Sequence, residues 1–147
     1  MDFYEVTENK KQYLDLLLLA DEQENMIDRY LDQGKMFILN DNGVKAECVI
    51  TEESKDVLEI KNIAVNPDSH RCGYGKTLID YIAKQFAGKY SSLKVGTGDV
   101  PSTIGFYEAC GFTRSGKIEH FFTDHYDHVI IEDGIQLVDM VYLSRRL

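Results

Sequence analysis

Residues 56–86 read DVLEIKNIAVNPDSHRCGYGKTLIDYIAKQF, and this stretch decides the fold. Val57 to Val65 is apolar and β-branched with polar interruptions, and it runs into Asn66-Pro67, so it reads as a strand ending in a turn. His70-Arg71-Cys72-Gly73-Tyr74-Gly75-Lys76 follows. Leu78, Ile79, Ile82, Ala83 and Phe86 then recur at three-and-four spacing, which predicts one face of a helix. A strand, a glycine-bearing loop and a helix in that order aim unpaired N–H groups, backed by the helix dipole, at one spot suited to an anion. Glycines at 73 and 75 let the backbone approach a phosphate and take positive φ.

Two nucleotide-binding loops are set aside. There is no Gly-x-x-x-x-Gly-Lys-Ser/Thr, and Leu78 stands where Gly-x-Gly-x-x-Gly needs its third glycine. His70-Arg71-Cys72-Gly73-Tyr74-Gly75 instead resembles the Gln/Arg-x-x-Gly-x-Gly/Ala pyrophosphate loop of the GNAT superfamily of N-acetyltransferases. Leu58 to Pro67 is similar to the central strand of that family. Phe106-Tyr107-Glu108-Ala109-Cys110-Gly111-Phe112 resembles its Phe-Tyr-x-x-x-Gly-Phe segment.

The resemblance implies an α/β (α+β) GNAT fold over residues 1–147 as one domain: a mixed, mostly antiparallel sheet of about seven strands with four helices. It implies acetyl-CoA (coenzyme A) as cosubstrate and direct transfer to a primary amine of a small molecule or peptide. Backbone groups of Arg71, Cys72, Gly73, Tyr74, Gly75 and Lys76 would hold the pyrophosphate, and Ile63, Ala64 and Val65 the pantetheine arm. Tyr107 matches the family tyrosine that protonates the departing thiolate. Glu59 lies at the glutamate-base position of the histone-acetylating branch. Asp99 stands near a cofactor-contacting asparagine. His70 departs from the family's Gln or Arg. A non-catalytic acyl-CoA-binding regulatory module is therefore the alternative.

Each of these residues has a plainer reading. Tyr107 on a helix beside Phe106 and Ile104 could simply be core. Glu59 could pair with Lys61 on the same strand face. Cys72 has no demonstrable Cys-His-Asn arrangement to make it a nucleophile. His120, His125 and Tyr126, with His128 nearby, could line the acceptor pocket from the stretch Glu119–Ile135 or sit on its surface. Their separations match no standard zinc spacing, so no metal is expected.

The rest of the chain supplies the frame. Phe3 to Val6 predicts a first strand. Leu14, Leu17 and Leu18, then Gln23 to Asp32, predict two short helices, the second ended by Gly34 as its cap. Met36–Leu39 and Val44–Ile50 flank Asn40-Asp41-Asn42-Gly43, a hairpin signal. Leu93–Val95, Phe112–Ile118 and Gln136–Leu143 predict the remaining strands. Asp99 or Ser102 is available to cap a short helix running to Cys110.

The 147 residues are 44% hydrophobic and 28% charged, the composition of a folded globular chain. A net charge of −9 disfavours nucleic acid and anionic membranes and suits a cationic partner. Leu16–Ala20 is too short to span a bilayer, and the acidic N-terminus is no signal peptide. Three cysteines without Cys-x-x-Cys spacing suit a reducing, cytoplasmic setting. The last strands offer an edge through which a homodimer could form.

Overall fold

The computed structural model describes residues 1–147. β1 (Asp2–Val6), a 3₁₀ turn (Lys10–Tyr13), α1 (Leu14–Ala20) and α2 (Glu24–Ile27) lead into β2 (Lys35–Asn40), β3 (Val44–Ser54) and β4 (Val57–Val65). α3 (Tyr74–Phe86), β5 (Ser92–Gly98), α4 (Pro101–Ala109) and β6 (Thr113–Ile118) follow. α5 (Phe121–His125), a two-stranded hairpin of β7 (Ile131–Glu132) and β8 (Ile135–Gln136), and β9 (Met140–Arg146) complete the chain.

Seven strands form one sheet in the order β1-β2-β3-β4-β5-β9-β6. All neighbours are antiparallel except β4 and β5, which α3 joins as the crossover that parallel strands need. The central strands are covered on both faces, so their runs are nearly continuous in apolar residues. On β2 the alternation is explicit: Phe37 and Leu39 pack with Leu78, Ile79, Ile82 and Phe86 of α3. Met36 and Ile38 pack on the other face with Leu17, Ile27 and Leu31.

β4 and β5 pair only from Val57–Ser92 to Ile60–Val95. Beyond that point they diverge, and β4 from Lys61 to Val65 keeps β3 as its single neighbour. The β3–β4 register shifts between Val49 and Ile50, so Lys61 is a bulge residue, which twists the strand just where it parts from β5. The gap between the two strands becomes the cleft described below.

Several expectations change in detail. There are five α-helices rather than four, because the stretch expected as the loop Glu119–Ile135 folds into α5 and the short hairpin. Phe122, Ile130, Leu137 and Val100 form a small core beneath it. The last strand starts at Met140 rather than Gln136. The second helix is one turn, and Gly34 does not end it through a left-handed φ. A Cβ at Gly34 would lie 2.8 Å from Val49 Cγ1 and 2.9 Å from the Tyr30 carbonyl oxygen, so close packing requires the glycine. α4 starts at Val100-Pro101 with no side-chain cap, so neither Asp99 nor Ser102 caps it. No helix is long and apolar enough to cross a membrane.

Candidate active site

A cleft of about 810 Å³ opens where β4 and β5 part. Its walls include Glu59 to Val65 of β4, Val95 to Gly98 of β5, Tyr107 of α4 and His70 of the glycine loop. Asp21 lines it from between α1 and α2, Arg29 and Tyr30 from the turn after α2, and Phe121, Phe122, Tyr126 and Glu132 from the segment after β6.

At one end, α3 starts at Gly73, whose φ is +79°. The first N–H of the helix to find a backbone acceptor is that of Thr77, bonded to the Gly73 carbonyl. The six consecutive N–H groups from Arg71 to Lys76 bond to no backbone acceptor. Six free donors at the start of a thirteen-residue helix suit a polyanion. A Cβ on Gly75 would stand 3.1 Å from the Phe106 ring and 3.4 Å from Val65 Cγ2, so the loop packs tightly against the cleft wall and leaves no room for a larger side chain without displacing Phe106. The His70 ring meets the Val65 carbonyl at 3.2 Å, which ties the loop to the end of β4.

Ile63, Ala64 and Val65 pair with Cys48, Glu47 and Ala46 on one edge; their other edge faces the cleft without a strand partner. An extended amide-bearing chain laid there would meet strand-like donors and acceptors. These features fit a pyrophosphate with an extended arm, as coenzyme A has.

On the cleft wall, Glu59 is 3% exposed. Its carboxylate lies 3.2 Å from Lys61 Nζ. Burial pushes its pKa up, the Lys61 charge pulls it back, and neighbouring Glu53 raises it. Tyr107 is 6% exposed, with its ring in the main core between Phe106 and Phe112. Its hydroxyl makes no hydrogen bond within the protein, and the side chain lines the cleft. Burial raises its pKa, so the hydroxyl holds its proton. The ring therefore belongs to the core while the side chain also lines the cleft.

Other sequence candidates lie apart. Asp99 is outside the cleft wall, exposed, and 3.5 Å from Arg114. His120 takes φ +58° at the start of α5, and its N–H donates to Asp139 Oδ1. His125 rests against the Phe121 ring. Tyr126 alone of the three pocket candidates reaches the cleft. His128 bridges Asp127 and Glu22 instead.

Sequence reasoning missed Asp21 and Tyr30. Tyr30 OH donates to Asp21 Oδ2 at 2.9 Å and Tyr126 OH to Asp21 Oδ1 at 2.7 Å, while Asn62 Nδ2 donates to Tyr30 OH at 3.0 Å. No local motif announces this group, since its members come from four separate segments.

The sequence model of the Acetyltransferase (GNAT) domain matches residues 32–114. The chain is 36% identical over 140 residues to the Bacillus subtilis protein described as the uncharacterized N-acetyltransferase YvbK, covering 92% of this chain and 90% of that one. It superposes on a GNAT family acetyltransferase from Elizabethkingia anophelis, crystallised with acetyl-CoA, with a TM-score of 0.92 at 31% identity, covering 99% of this chain and 97% of that one. A Bacillus subtilis acetyltransferase in complex with CoA gives 0.88 at 32% identity, with 99% and 97% coverage. The chain belongs to the GNAT superfamily and is an N-acetyltransferase.

Proposed function

We propose that this N-acetyltransferase, acting as a single domain, passes the acetyl group of acetyl-CoA directly to a primary amine of a small molecule or peptide in the β4–β5 cleft. Acetyl-CoA is the acetyl donor, and when bound it supplies the thioester carbonyl that the amine attacks. The single observation that carries the reading is the run of six unpartnered N–H groups from Arg71 to Lys76 beside the open edge of β4.

The chain's own residues then have distinct tasks. The loop N–H groups and the α3 dipole offset the pyrophosphate charge. The free edge at Ile63–Val65 lays the arm along β4 and so fixes where the thioester falls. Glu59, desolvated and raised, accepts the proton that an ammonium must lose before it can attack. Its ion pair with Lys61 keeps the carboxylate from being neutral throughout. Tyr107 keeps its hydroxyl proton and donates a hydrogen bond as the sulfur leaves with the electron pair. Cys72 has no part in the transfer, and no covalent protein intermediate is needed.

Tyr107→Phe tests the assignment. The hydroxyl serves no other part of the protein, so the melting temperature should hold while kcat falls by about 10²-fold or more, the usual scale for a positioned acid. Turnover equal to the wild type across the pH range would make Tyr107 a packing residue. Coenzyme A binding with no turnover of any amine in the wild type would favour the regulatory module.

A further inference from the structure

The cleft wall carries a carboxylate that the transfer reaction does not use, Asp21. Asp21 ends α1, where the helix dipole disfavours an anion. It is only partly exposed, and burial raises its pKa against the pull of the Tyr126 and Tyr30 hydroxyls. No lysine or arginine is paired with it: the ion pairs of the chain are made by other carboxylates. Its two tyrosine donors come from segments far apart in sequence, one just after α2 and one just after α5. Asn62 carries the same network onto β4, three residues from Glu59. A carboxylate has about four acceptor sites; the Tyr30 and Tyr126 hydroxyls and the Gln23 backbone N–H take three, so capacity for one further donor remains.

The surroundings say what that donor should be. Glu52, Glu59 and Glu132 line the same cleft, against Arg29 and Lys61, and Lys61 is already paired with Glu59. Burial also raises Glu132, with the Thr103 hydroxyl bonded to it. Arg29 is exposed at the rim and contacts Met26 Sδ at 3.4 Å rather than any carboxylate. Two tyrosines hold Asp21 in place without neutralising it. Neutral hydroxyls orient the carboxylate and leave its full charge to be met by a cation that enters with the substrate.

The geometry points to Asp21 as the specificity-determining residue of the acceptor site, binding a second ammonium group, so that the preferred acceptor is a linear diamine rather than a monoamine. This rests on the reading of the cleft as the place of acetyl transfer. Glu59 then serves the reacting amine and Asp21 the distal one.

The test is calorimetry on the full chain with saturating coenzyme A, which allows binding to be read without turnover. Diamines from 1,3-diaminopropane to 1,8-diaminooctane are compared with n-alkylamines of the same carbon count. At least one diamine should bind tenfold or more tightly than its monoamine. Asp21→Asn should erase that ratio while coenzyme A binding stays as in the wild type. Equal binding of both series, no binding of either, an unchanged ratio in Asp21→Asn, or a preference for amines bearing a carboxylate, which Arg29 would read, each overturns the inference. Should Asp21→Asn not fold, the wild-type ratio decides by itself. Diamine binding without thiol release from acetyl-CoA would instead count against the transfer reaction and leave Asp21 as the dication site. Failure of coenzyme A to bind would remove both.

Discussion

Gly75→Val perturbs the proposed anion cradle where Gly75 packs against Phe106 and Val65. The first methyl-sized addition at this position already stands 3.1 Å from the Phe106 ring and 3.4 Å from Val65 Cγ2. A branched side chain must therefore push Phe106 aside or swing the loop, and either turns the N–H groups of residues 71–76 off their common target. Overpacking of this kind costs about 1–3 kcal/mol of stability, which alone would lower Tm and reveal little. The informative quantity is the rise in Tm caused by coenzyme A.

A ligand present at 100 times its Kd stabilises by about 2.7 kcal/mol. With an unfolding entropy of about 2.1 cal/mol/K per residue over 147 residues, each kcal/mol is worth about 3 °C. The wild type should therefore gain about 9 °C under those conditions. A tenfold weaker site at the same coenzyme A concentration retains about 1.4 kcal/mol, or about 5 °C. Ile82→Val, at a fully buried position on the same helix, costs about 0.5–1.5 kcal/mol and leaves the loop alone, so its apo Tm should fall while the coenzyme A increment stays whole. Differential scanning fluorimetry reads both. A full increment in Gly75→Val, or a reduced one in Ile82→Val, would refute the assignment of the cradle.

Two further outcomes follow from buried and bridging charges. Glu47 is fully buried, both its carboxyl oxygens lack partners, and burial pushes its pKa well up. The folded state then binds a proton that the unfolded state has released above the ordinary glutamate range near 4.5, so stability falls as pH rises. Glu47→Leu should raise stability by about 1–3 kcal/mol, more at pH 8 than at pH 5, in paired denaturation curves. His128 is raised above 6.5 by Asp127 and then Glu22. A raised histidine contributes below its unfolded pKa and loses that contribution as pH climbs through the folded one. The Tm deficit of His128→Gln should accordingly be largest at pH 6 and shrink toward pH 8.

The second half of the chain was the most legible in sequence. β4, the glycine loop and α3 fall where β-branched runs, Asn66-Pro67 and three-and-four spacing place them, because there the local preference and the tertiary packing agree. Asn42 and Gly43 both take positive φ, as their hairpin signal requires. The segment after β6 was harder. Asp133 and Gly134 also both take positive φ, but they join strands of two residues each, too short for alternation to show. α5 is five residues long and is held by Phe122 in a separate small core, which no local periodicity announces. Tyr107 reads from sequence as core or as catalytic, and local pattern does not separate the two because the same side chain packs in the core and lines the cleft. The Asp21–Tyr30–Tyr126 group was not legible, because it exists only once α1, the turn after α2, and α5 have been brought against β4.

The central claim is tested most directly by following free thiol when the full chain is mixed with acetyl-CoA, with and without an amine panel of diamines, monoamines and lysine peptides. Release that depends on an amine, with matching appearance of its N-acetyl product, is the predicted result. Release at the same rate with or without any amine of the panel, or no release at all while coenzyme A binds, would contradict it.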